Sequence, residues 1–447
     1  MTHSEDIIVA PATLSGGAIA IIRVSGEGSI TLVDNVFRPH RKGGLSNAKG
    51  YTLHYGEVLD NDSVIDDVII SLFRAPHSYT SEDSVEISCH GSSYIVQRII
   101  ELIVSHGARL ANAGEFTTRA FLAGKIDLSQ AEAVADMIAS TSRATHAMAT
   151  TQMRGGYSDK LVSMRSELVH LSALLELELD FSEEDVEFAD RSELRNLMEG
   201  LQSEIEHLRE SFRIGNAIKE GVAVAIVGAP NAGKSTLLNR ILGEDRAMVS
   251  DVAGTTRDSI EETIVLDGVT FRFIDTAGLH TTEDKLEKMG IERTHTAISK
   301  AQIIIQLIDI KGIDDVVDIK ILPNQSLIRV INKVDLIDNK IDQSNDLYIS
   351  AKDGDGVDEL LKELSSKIDL EGLYQGDIIV SNARHYTHLN DANQSLTAAI
   401  SALNNNLPTD LLTQDLRHTL HHIGSITGEI TTNEILSKIF SSFCIGK

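Results

Sequence analysis

Apolar residues recur at three- and four-residue steps in two long stretches of the chain, which is the spacing of one face of an α-helix. The first stretch runs from Leu161 to Leu175, and the second runs from Leu201 to Phe212. No proline interrupts either stretch or the residues between them, so nothing there breaks a helix. The tail repeats the spacing from Leu389 to Leu403. These patterns predict long helices with one buried face.

The first 120 residues have a different pattern. Apolar runs predict strands at Ile19–Val24, Val64–Phe73 and Val85–Ser88, and helical spacing predicts a helix near Ile95 to Ser105. Strands with turn-rich connections beside a helix indicate an α+β domain.

Residues 220–370 alternate strand and helix, which indicates a doubly wound sheet. Helical stretches flank this segment, so the simplest arrangement is one discontinuous helical domain with the α/β domain inserted into it. The predicted fold is multidomain, α/β and α+β. The predicted domain limits are 1–122 for the N-terminal domain, 123–216 and 376–447 for the two helical parts, and 217–375 for the inserted domain.

The charge of the chain restricts its partners. Asp and Glu number 66 against 40 Lys and Arg, which gives a formal net charge of -26. Phosphate backbones attract basic proteins, so any nucleic-acid partner needs a local basic patch or a second protein. The two cysteines, Cys89 and Cys444, lack disulfide or metal spacing and fit a reducing compartment. With no signal-peptide pattern and no membrane-length apolar run, we expect a cytoplasmic protein.

The segment Gly228–Ser235 matches the phosphate-loop pattern G-x-x-x-x-G-K-S. The apolar strand Val222–Val227 precedes it, and a helix from Thr236 follows it. The glycines let backbone N–H groups face phosphates, and the helix N-terminus favours negative charge. Lys234 would reach the β- and γ-phosphates, and the Ser235 hydroxyl would ligate Mg²⁺.

Further motifs follow in the order of a GTPase. Asp275 suits a water-mediated Mg²⁺ contact, the Gly278 N–H suits the γ-phosphate, and Thr255 and Thr256 offer a hydroxyl to the Mg²⁺ shell. The predicted nucleotide contacts here and in the phosphate loop are Asn231, Ala232, Gly233, Lys234, Ser235, Thr236, Thr255, Thr256, Asp275, Thr276, Ala277 and Gly278.

Two later motifs select the base. Asn332, Lys333 and Asp335 follow an apolar strand, and the Asp335 carboxylate can accept from guanine N1–H and the 2-amino group. Adenine presents neither donor there, which predicts GTP rather than ATP. The segment Ser350, Ala351 and Lys352 would close over the base. Together the five motifs are typical of translation-factor-class GTPases.

The residue that activates water is not obvious from these motifs. Leu279 stands directly after the Asp-x-x-Gly motif, where Ras-like enzymes have a water-orienting glutamine. Glu283, Asp284 and Glu287 follow as candidates, although for each one alone a solvated charge at the start of a helix is the favoured interpretation. Asn231 could help to hold a monovalent cation near the phosphates. Lys234 and Asp275 remain the predicted catalytic residues.

Four segments resemble the MnmE (TrmE) family of bacterial tRNA-modification GTPases over essentially the whole chain. They are Ile21–Gly26, Gly114–Ala133, the GTPase motifs and Ile439–Lys447. The last is very specific, because few GTPases end in Cys-x-Gly-Lys. The resemblance implies that 217–375 is a Ras-like G domain.

The resemblance also implies a homodimer built by N-terminal domains similar to a tetrahydrofolate-binding fold. These domains would bind a folate one-carbon donor, in the 5-formyl or methylene form, close to the C-terminal tail. The implied folate contacts are Arg23, Glu86, Lys125 and Lys447.

A further implication is a K⁺-dependent GTPase in which two G domains pair across a bound K⁺ that replaces an arginine finger. Asn231, Ser250, Val252 and Thr255 would hold K⁺, with Ser250 also beside the nucleotide. Glu287 matches the family's water-orienting glutamate.

The family's activity is modification of C5 of the wobble uridine of tRNA, with an aminomethyl or carboxymethylaminomethyl group. It acts with a flavin-dependent partner, MnmG, in a heterotetrameric or larger complex. The acidic charge of this chain fits a tRNA contact shared with that partner.

The cysteines leave alternatives open. Cys444 could supply a thiol or thiolate that assists chemistry on the uridine, or it could lie in a tail that only shapes the folate pocket. Its C-terminal position formally matches a prenylation signal, which Lys447 as last residue argues against. Cys89 beside His90 could be a nucleophile and base, but a packed strand-end cysteine is favoured.

Two other classes of protein compete with tRNA modification. A ribosome-assembly GTPase of the Era or Der type has similar G motifs, but it lacks this N-terminal domain, and a KH module would show a basic G-x-x-G loop after the G domain. An ATP-using phosphate-loop protein conflicts with the motif Asn332–Asp335.

Overall fold

The structure is a computed structural model that describes residues 6–13, 16–180, 191–243, 262–274, 296–315, 319–323, 325–337, 346–368, 370–441, 443 and 446. The chain forms two compact units. The first unit comprises Met1–Ala135, Ser158–Val162 and Ile423–Lys447, and the second comprises Asp136–Tyr157 and Ser163–His422. Among the described residues, no helix combines the length and the apolar character needed to cross a membrane.

The strands of the described residues form two sheets. They are β1 (Ile8–Pro11), β2 (Ile19–Ser25), β3 (Phe37–Pro39), β4 (Thr52–Asp60), β5 (Ser63–Phe73), β6 (Ser84–His90), β7 (Arg109–Leu110), β8 (Val222–Val227), β9 (Glu262–Leu266), β10 (Val269–Phe273), β11 (Ile303–Asp309), β12 (Ser326–Asn332) and β13 (Leu347–Ile349).

The α-helices are numbered separately. They are α1 (Ser29–Asp34), α2 (Ser93–Ser105), α3 (Glu115–Leu122), α4 (Leu128–Ala139), α5 (Arg143–Met153), α6 (Gly156–Asp180), α7 (Arg191–Glu220), α8 (Lys234–Leu242), α9 (Val357–Ser366), α10 (Glu371–Gln375), α11 (Ala383–Asn404), α12 (Thr409–Thr427) and α13 (Asn433–Ser441).

The first unit contains a sheet of order β3-β4-β5-β6-β2-β1-β7, in which only the β1–β7 pair is parallel. Ile22 and Val24 of β2 point into the core, where Ile99 and Ile103 of α2 cover that face. Alternate residues of a strand point to opposite faces, so apolar residues at every second position of a strand place one apolar face against the helix. This is the predicted α+β fold, with four strands that the sequence pattern did not show.

The C-terminal helix packs within the first unit. Leu436 and Phe440 of α13 share an apolar cluster with Leu128 of α4. Gly114 precedes α3 with a φ of 65°, and a Cβ there would lie 2.6 Å from the carbonyl oxygen of Phe440. The last helix therefore lies directly against the start of α3.

The second sheet has the order β13-β12-β11-β8-β10-β9, with all pairs parallel except β9–β10. Strand β11 is buried along almost its whole length. Parallel strands are covered by helices on both faces, which explains its continuous apolar run. The doubly wound sheet predicted for residues 220–370 is confirmed.

Long helices flank this sheet in sequence, as the apolar spacing predicted. Leu201 and Ile205 of α7 are buried with Leu389 and Leu396 of α11, and α7 packs on α11 although the whole α/β segment separates them in the chain. The discontinuous helical fold with an inserted α/β segment is confirmed. The domain limits themselves remain predictions.

Candidate functional site

The phosphate loop lies close to two neighbouring strands. A Cβ on Gly228 would lie 2.2 Å from the carbonyl oxygen of Leu307 on β11. Gly233 has a φ of 100°, and a Cβ there would lie 2.3 Å from Asn332 Nδ2 at the end of β12. Only glycine fits such approaches. The spacing of the two glycines in the motif is therefore a packing requirement of this sheet edge.

The Lys234 side chain lies across the interior of the loop. Its ammonium donates hydrogen bonds to the carbonyl oxygens of Gly228 at 2.8 Å and Ala229 at 2.9 Å. Burial lowers the pKa of Lys234. Helix α8 begins at Lys234, and its N-cap residue is Gly233, which has no side chain to cap the first turn. The backbone N–H groups of Ser235 and Thr236 are therefore not capped by Gly233, and such N–H groups at a helix N-terminus are suited to binding a phosphate.

Asn332 joins three motifs. Its side chain is 2% exposed, its Nδ2 donates to the carbonyl oxygen of Ala232 at 2.7 Å, and its Oδ1 accepts from the Ala351 N–H at 2.9 Å. The phosphate loop, the Asn332–Asp335 motif and the Ser350–Lys352 motif therefore form one connected structure, as the sequence motifs require.

Asp335 is positioned by the following loop. Ser350 Oγ lies 2.9 Å from Asp335 Oδ1 and 3.0 Å from Asp353 Oδ2, and it can donate to either carboxylate. Asp335 is exposed, so its other oxygen is accessible to a base. An Arg240 guanidinium group contacts the Lys352 carbonyl. These contacts hold an exposed carboxylate beside the phosphate loop, which is the arrangement that guanine recognition needs.

Lys333 has a φ of 69°, in the left-handed region. Its ammonium contacts Asp309 Oδ2 at 2.6 Å, and this hydrogen bond lowers the pKa of the Asp309 carboxyl. Asn231 in the phosphate loop also has a positive φ, of 66°, and is exposed. Both strained residues lie in loops that the sequence assigned to nucleotide binding, and functional loops often hold such strain.

Several predicted site residues lie outside the described residues. For the nucleotide and cation sites these are Ser250, Val252, Thr255, Thr256, Asp275, Thr276, Ala277, Gly278 and Glu287, and for the folate site and tail they are Cys444 and Lys447. Their roles remain predictions.

A second polar site lies in the first unit. Arg23 of β2 and Glu86 of β6 are directly opposite in the antiparallel register, and their side chains form an ion pair at 2.8 Å. The Arg23 guanidinium also donates to the Gly446 carbonyl oxygen at 3.3 Å. It lies over the rings of Tyr79 and Phe116, at 5.4 and 5.5 Å. A charged pair, two aromatic rings and the tail thus meet at one place.

Lys125 is linked to this region through the backbone of Ser78. Its ammonium contacts the carbonyl oxygen of Ser78, the residue next to Tyr79. The Tyr79 hydroxyl lies 2.9 Å from Thr117 Oγ1, and burial raises the pKa of this phenol. The structure therefore brings Arg23 and Glu86 together and places Lys125 beside their aromatic neighbour.

The sequence pattern did not predict three residues of this site, Tyr79, Phe116 and Gly446. A Cβ on Gly446, whose φ is 96°, would lie 2.1 Å from the Pro11 carbonyl oxygen. The glycine in the Cys-x-Gly-Lys ending was the sequence feature that could have indicated this close contact. Nothing in the sequence pattern pointed to Tyr79 or Phe116, because single aromatic residues are ordinary core residues.

Cys89 is a packed core residue. Its side chain is 3% exposed, and its thiol contacts the Ala20 carbonyl oxygen at 3.6 Å. Burial and, to a smaller extent, the Asp66 carboxylate raise the pKa of Cys89 to about 11. His90 lies on the opposite face of β6 and pairs with Asp66 at 2.7 Å. The two neighbours are therefore not a nucleophile and its base.

Comparisons with known proteins agree with this arrangement. The family described as "GTP-binding protein TrmE N-terminus" matches residues 7–125, and the family described as "MnmE helical domain" matches residues 128–444. The tRNA modification GTPase MnmE of Bacteroides thetaiotaomicron is 48% identical over 468 residues, covering 99% of this chain and 100% of that protein. The protein of the same name from Flavobacterium johnsoniae is 46% identical over 464 residues, with the same coverage.

Among solved structures, an Aquifex aeolicus Era variant bound to GDP.AlF4- has 28% sequence identity, covers 39% of this chain and 67% of its own, and gives a TM-score of 0.25. The family matches extend over nearly the whole chain, on both sides of the connected nucleotide motifs. This chain belongs to the MnmE family of tRNA modification GTPases.

Proposed function

We propose that this GTPase, together with the flavoprotein MnmG, modifies C5 of the wobble uridine of certain tRNAs with a one-carbon unit from a tetrahydrofolate derivative. The observation that carries the proposal is the contact of Arg23 with Glu86 and with the Gly446 carbonyl. A pterin ring is flat and has neighbouring N–H donors and ring acceptors. A carboxylate beside a guanidinium, with the rings of Tyr79 and Phe116 close by, matches those features.

The tail supports chemistry at this site. Gly446 approaches Pro11 too closely for any side chain, and this contact fixes the backbone one peptide away from Lys447. We propose that Lys447 and Lys125 contact the folate and that Cys444 supplies a thiol near the transferred carbon. The alternative, in which the tail only shapes the pocket, makes a different prediction for Cys444→Ser.

In the nucleotide site, Asp335 would bind guanine, Lys234 the β- and γ-phosphates, and Ser235 and Thr256 would ligate Mg²⁺. Glu287 would orient the attacking water. K⁺, held by Asn231, Ser250, Val252 and Thr255, would supply positive charge between two paired G domains. The exposed position of Asn231 and its positive φ in the phosphate loop suit a side chain that faces a partner G domain.

The proposed homodimer uses the N-terminal domains. The outer face of the first sheet supports it, because Leu53 and Tyr55 of β4 are 71% and 57% exposed beside Ile69 of β5. An exposed apolar sheet face of this kind is unusual in a monomer. With a net charge of -26, the chain would share its tRNA with MnmG. We expect the complex to be heterotetrameric or larger and cytoplasmic.

The first experiment compares GTP turnover in KCl and NaCl at equal ionic strength. The proposal expects strong stimulation by K⁺, and loss of most of that stimulation in Asn231→Ala with Asn239→Ala as an exposed control on α8. Glu287→Ala should slow turnover while GTP affinity is retained. Equal rates in both salts would remove the cation mechanism and favour a GTPase cycle of the Era or Der type.

The second experiment reconstitutes modification with MnmG, tRNA and folate, and analyses the tRNA nucleosides by mass spectrometry. Cys444→Ser should retain K⁺-stimulated GTP turnover and lose wobble modification. Normal modification by this variant would leave the cysteine structural. Modification without any folate would remove the one-carbon donor from the proposal, whatever the GTPase does.

A further inference from the structure

A histidine cluster between α11 and α12 has no role in the nucleotide or folate sites. The rings of His388 on α11 and His422 on α12 have centroids 5.9 Å apart. Asp391 stands one turn after His388 on α11, and its Oδ2 lies 4.0 Å from His422 Nδ1. Two imidazoles and a carboxylate from two helices thus lie close together within the second unit.

The two histidines share an unusual feature. The Nδ1 atoms of His388 and His422 are both buried, and neither has a hydrogen-bond partner among the described residues. Buried polar atoms are nearly always satisfied by protein, water or a bound ion. Two such atoms on neighbouring rings, one of them 4.0 Å from a carboxylate oxygen, are available to a partner that is not part of the protein.

We propose that His388, His422 and Asp391 form a binding site for a divalent transition-metal ion of the Zn²⁺ class. Zinc–imidazole bonds of about 2.0–2.1 Å place the centroids of two rings on one ion about 5 to 6 Å apart. The observed 5.9 Å therefore fits one shared ion once the side chains turn their ligand atoms towards it. Asp391 is 41% exposed and can rotate to close the 4.0 Å gap. Helix bundles commonly build metal sites from facing side chains in this way.

The donor set selects the kind of ion. Imidazole nitrogen with one carboxylate suits zinc, iron, cobalt or nickel, whereas Mg²⁺ and Ca²⁺ prefer all-oxygen sites. His418 stands one turn before His422 on α12 and is exposed. It is available as a further ligand, and without it the ion keeps a position open to water.

The charges around the histidine pair oppose one another. Arg384 is the cation that opposes a metal ion here, and its guanidinium lies 3.0 Å from His385 Nε2. Asp391 supplies the compensating charge.

Among the described residues, a tighter group with metal-ligand chemistry lies on the first sheet. The ligand atoms of His40, Glu57 and Asp67 all lie within 4.8 Å of one another, which those of His388, Asp391 and His422 do not. There His40 contacts Asp67, and Arg38 already pairs with Glu57, so these side chains have protein partners. This group provides the competing location that the experiment must distinguish.

The experiment uses the full-length, untagged protein after chelator treatment, without nucleotide. Co²⁺ is titrated and followed by its visible absorption, and Zn²⁺ is titrated by calorimetry. We expect one ion per chain, bound about tenfold or more weakly in His388→Asn, His422→Asn and Asp391→Asn. His170→Asn, an exposed histidine of α6, and His40→Asn should bind as the parent protein does.

Thermal unfolding checks that each variant is folded and gives a second readout. Zn²⁺ should raise the Tm of the parent protein and of both control variants, since an ion that binds only the folded state stabilises it. It should not raise the Tm of folded His388→Asn or His422→Asn. Absence of binding, loss of binding only in His40→Asn, or a cobalt–sulfur charge-transfer band would each overturn the proposal.

Discussion

Asn332 Nδ2 donates a hydrogen bond to the backbone carbonyl of Ala232, 2.7 Å away, and the two residues are 100 positions apart in the chain. Through this bond the base-recognition motif supports the phosphate loop directly. The bond is buried, because Asn332 is only 2% exposed. A buried donor left without its acceptor costs about 1–3 kcal/mol. The conformation of the phosphate loop therefore depends on a residue that sequence reasoning assigned to the guanine.

Asn332→Asp tests this dependence with a minimal change. The aspartate keeps an oxygen for the Ala351 N–H but has no donor for the Ala232 carbonyl, and its charge faces that oxygen. We expect the free energy of unfolding to fall by about 1–3 kcal/mol and GTP to bind about tenfold or more weakly. Chemical denaturation and nucleotide titration measure the two effects.

Asn239→Asp is the matched control for this change, because Asn239 is exposed on α8. It introduces the same charge near the loop without touching Ala232. If Asn332→Asp behaved like this control, the bond would have no part in holding the loop.

The Asp335 carboxylate should decide which base is bound. In Asp335→Asn the amide donates where guanine also donates, so GTP affinity should fall by about 1.5–3 kcal/mol, the range for a hydrogen bond to a charged group. Xanthine has a carbonyl in place of the 2-amino group, so XTP should bind the variant better than GTP. Competition titration of the two nucleotides measures the switch.

Asp353→Asn serves as control for the base switch. Asp353 contacts the same Ser350 hydroxyl as Asp335 does, so this variant perturbs the loop without changing the base-recognition carboxylate. It should retain its preference for GTP. An Asp335→Asn variant that still preferred GTP to XTP would make the guanine assignment wrong.

The sequence was informative where a physical requirement leaves a local pattern. Continuous apolar runs predicted β8 and β12, and three- and four-residue spacing predicted α6, α7 and α11, because burial on a sheet or helix imposes that period. The phosphate-loop glycines were identified for the same reason. Tyr79 and Phe116 were not, since their meeting with Arg23 depends on strand register and on α3, which no short segment encodes. The pairing of His388 with His422 likewise arises only when α11 and α12 pack.

The buried thiol of Cys89 gives the protein a defined response to alkaline pH. Its pKa is raised to about 11, from 9.0. Between these values the unfolded chain loses the thiol proton while the folded chain keeps it, so stability is unaffected below pH 9 and falls as pH rises toward 11. This pKa difference of about two units corresponds to a decrease of the order of 2 kcal/mol in the free energy of unfolding at pH 11.

Cys89→Ala should therefore show a smaller decrease of stability between pH 9 and 11 than the parent protein, measured by denaturant unfolding at each pH. The comparison uses the slope with pH, because the truncation itself lowers stability at all pH values. In a Cys444→Ser background, Cys89 should also resist iodoacetamide at pH 8 until the protein unfolds. Rapid alkylation of the folded protein would contradict the buried, protonated thiol.

Gly446 should be essential for the folate site and dispensable for GTP hydrolysis. A Cβ at this position would lie 2.1 Å from the Pro11 carbonyl oxygen, and the φ of 96° is itself unfavourable for alanine. Gly446→Ala must therefore move the tail away from β1 and break the contact with Arg23. We expect wobble modification in the reconstituted system to fall about tenfold or more, because a displacement of the tail that costs about 1.4 kcal/mol already changes an equilibrium tenfold. K⁺-stimulated GTP turnover should stay within about twofold of that of the parent protein.

Gly16→Ala separates backbone strain from displacement of the tail. Gly16 also has a positive φ, of 104°, but a Cβ there meets nothing within 4 Å. It should retain modification because only the cost of its own backbone conformation is added. Equal losses in both variants would mean that strain in the first unit, rather than the position of the tail, limits the reaction. Loss of GTP turnover in Gly446→Ala would mean that the tail also acts on the nucleotide site.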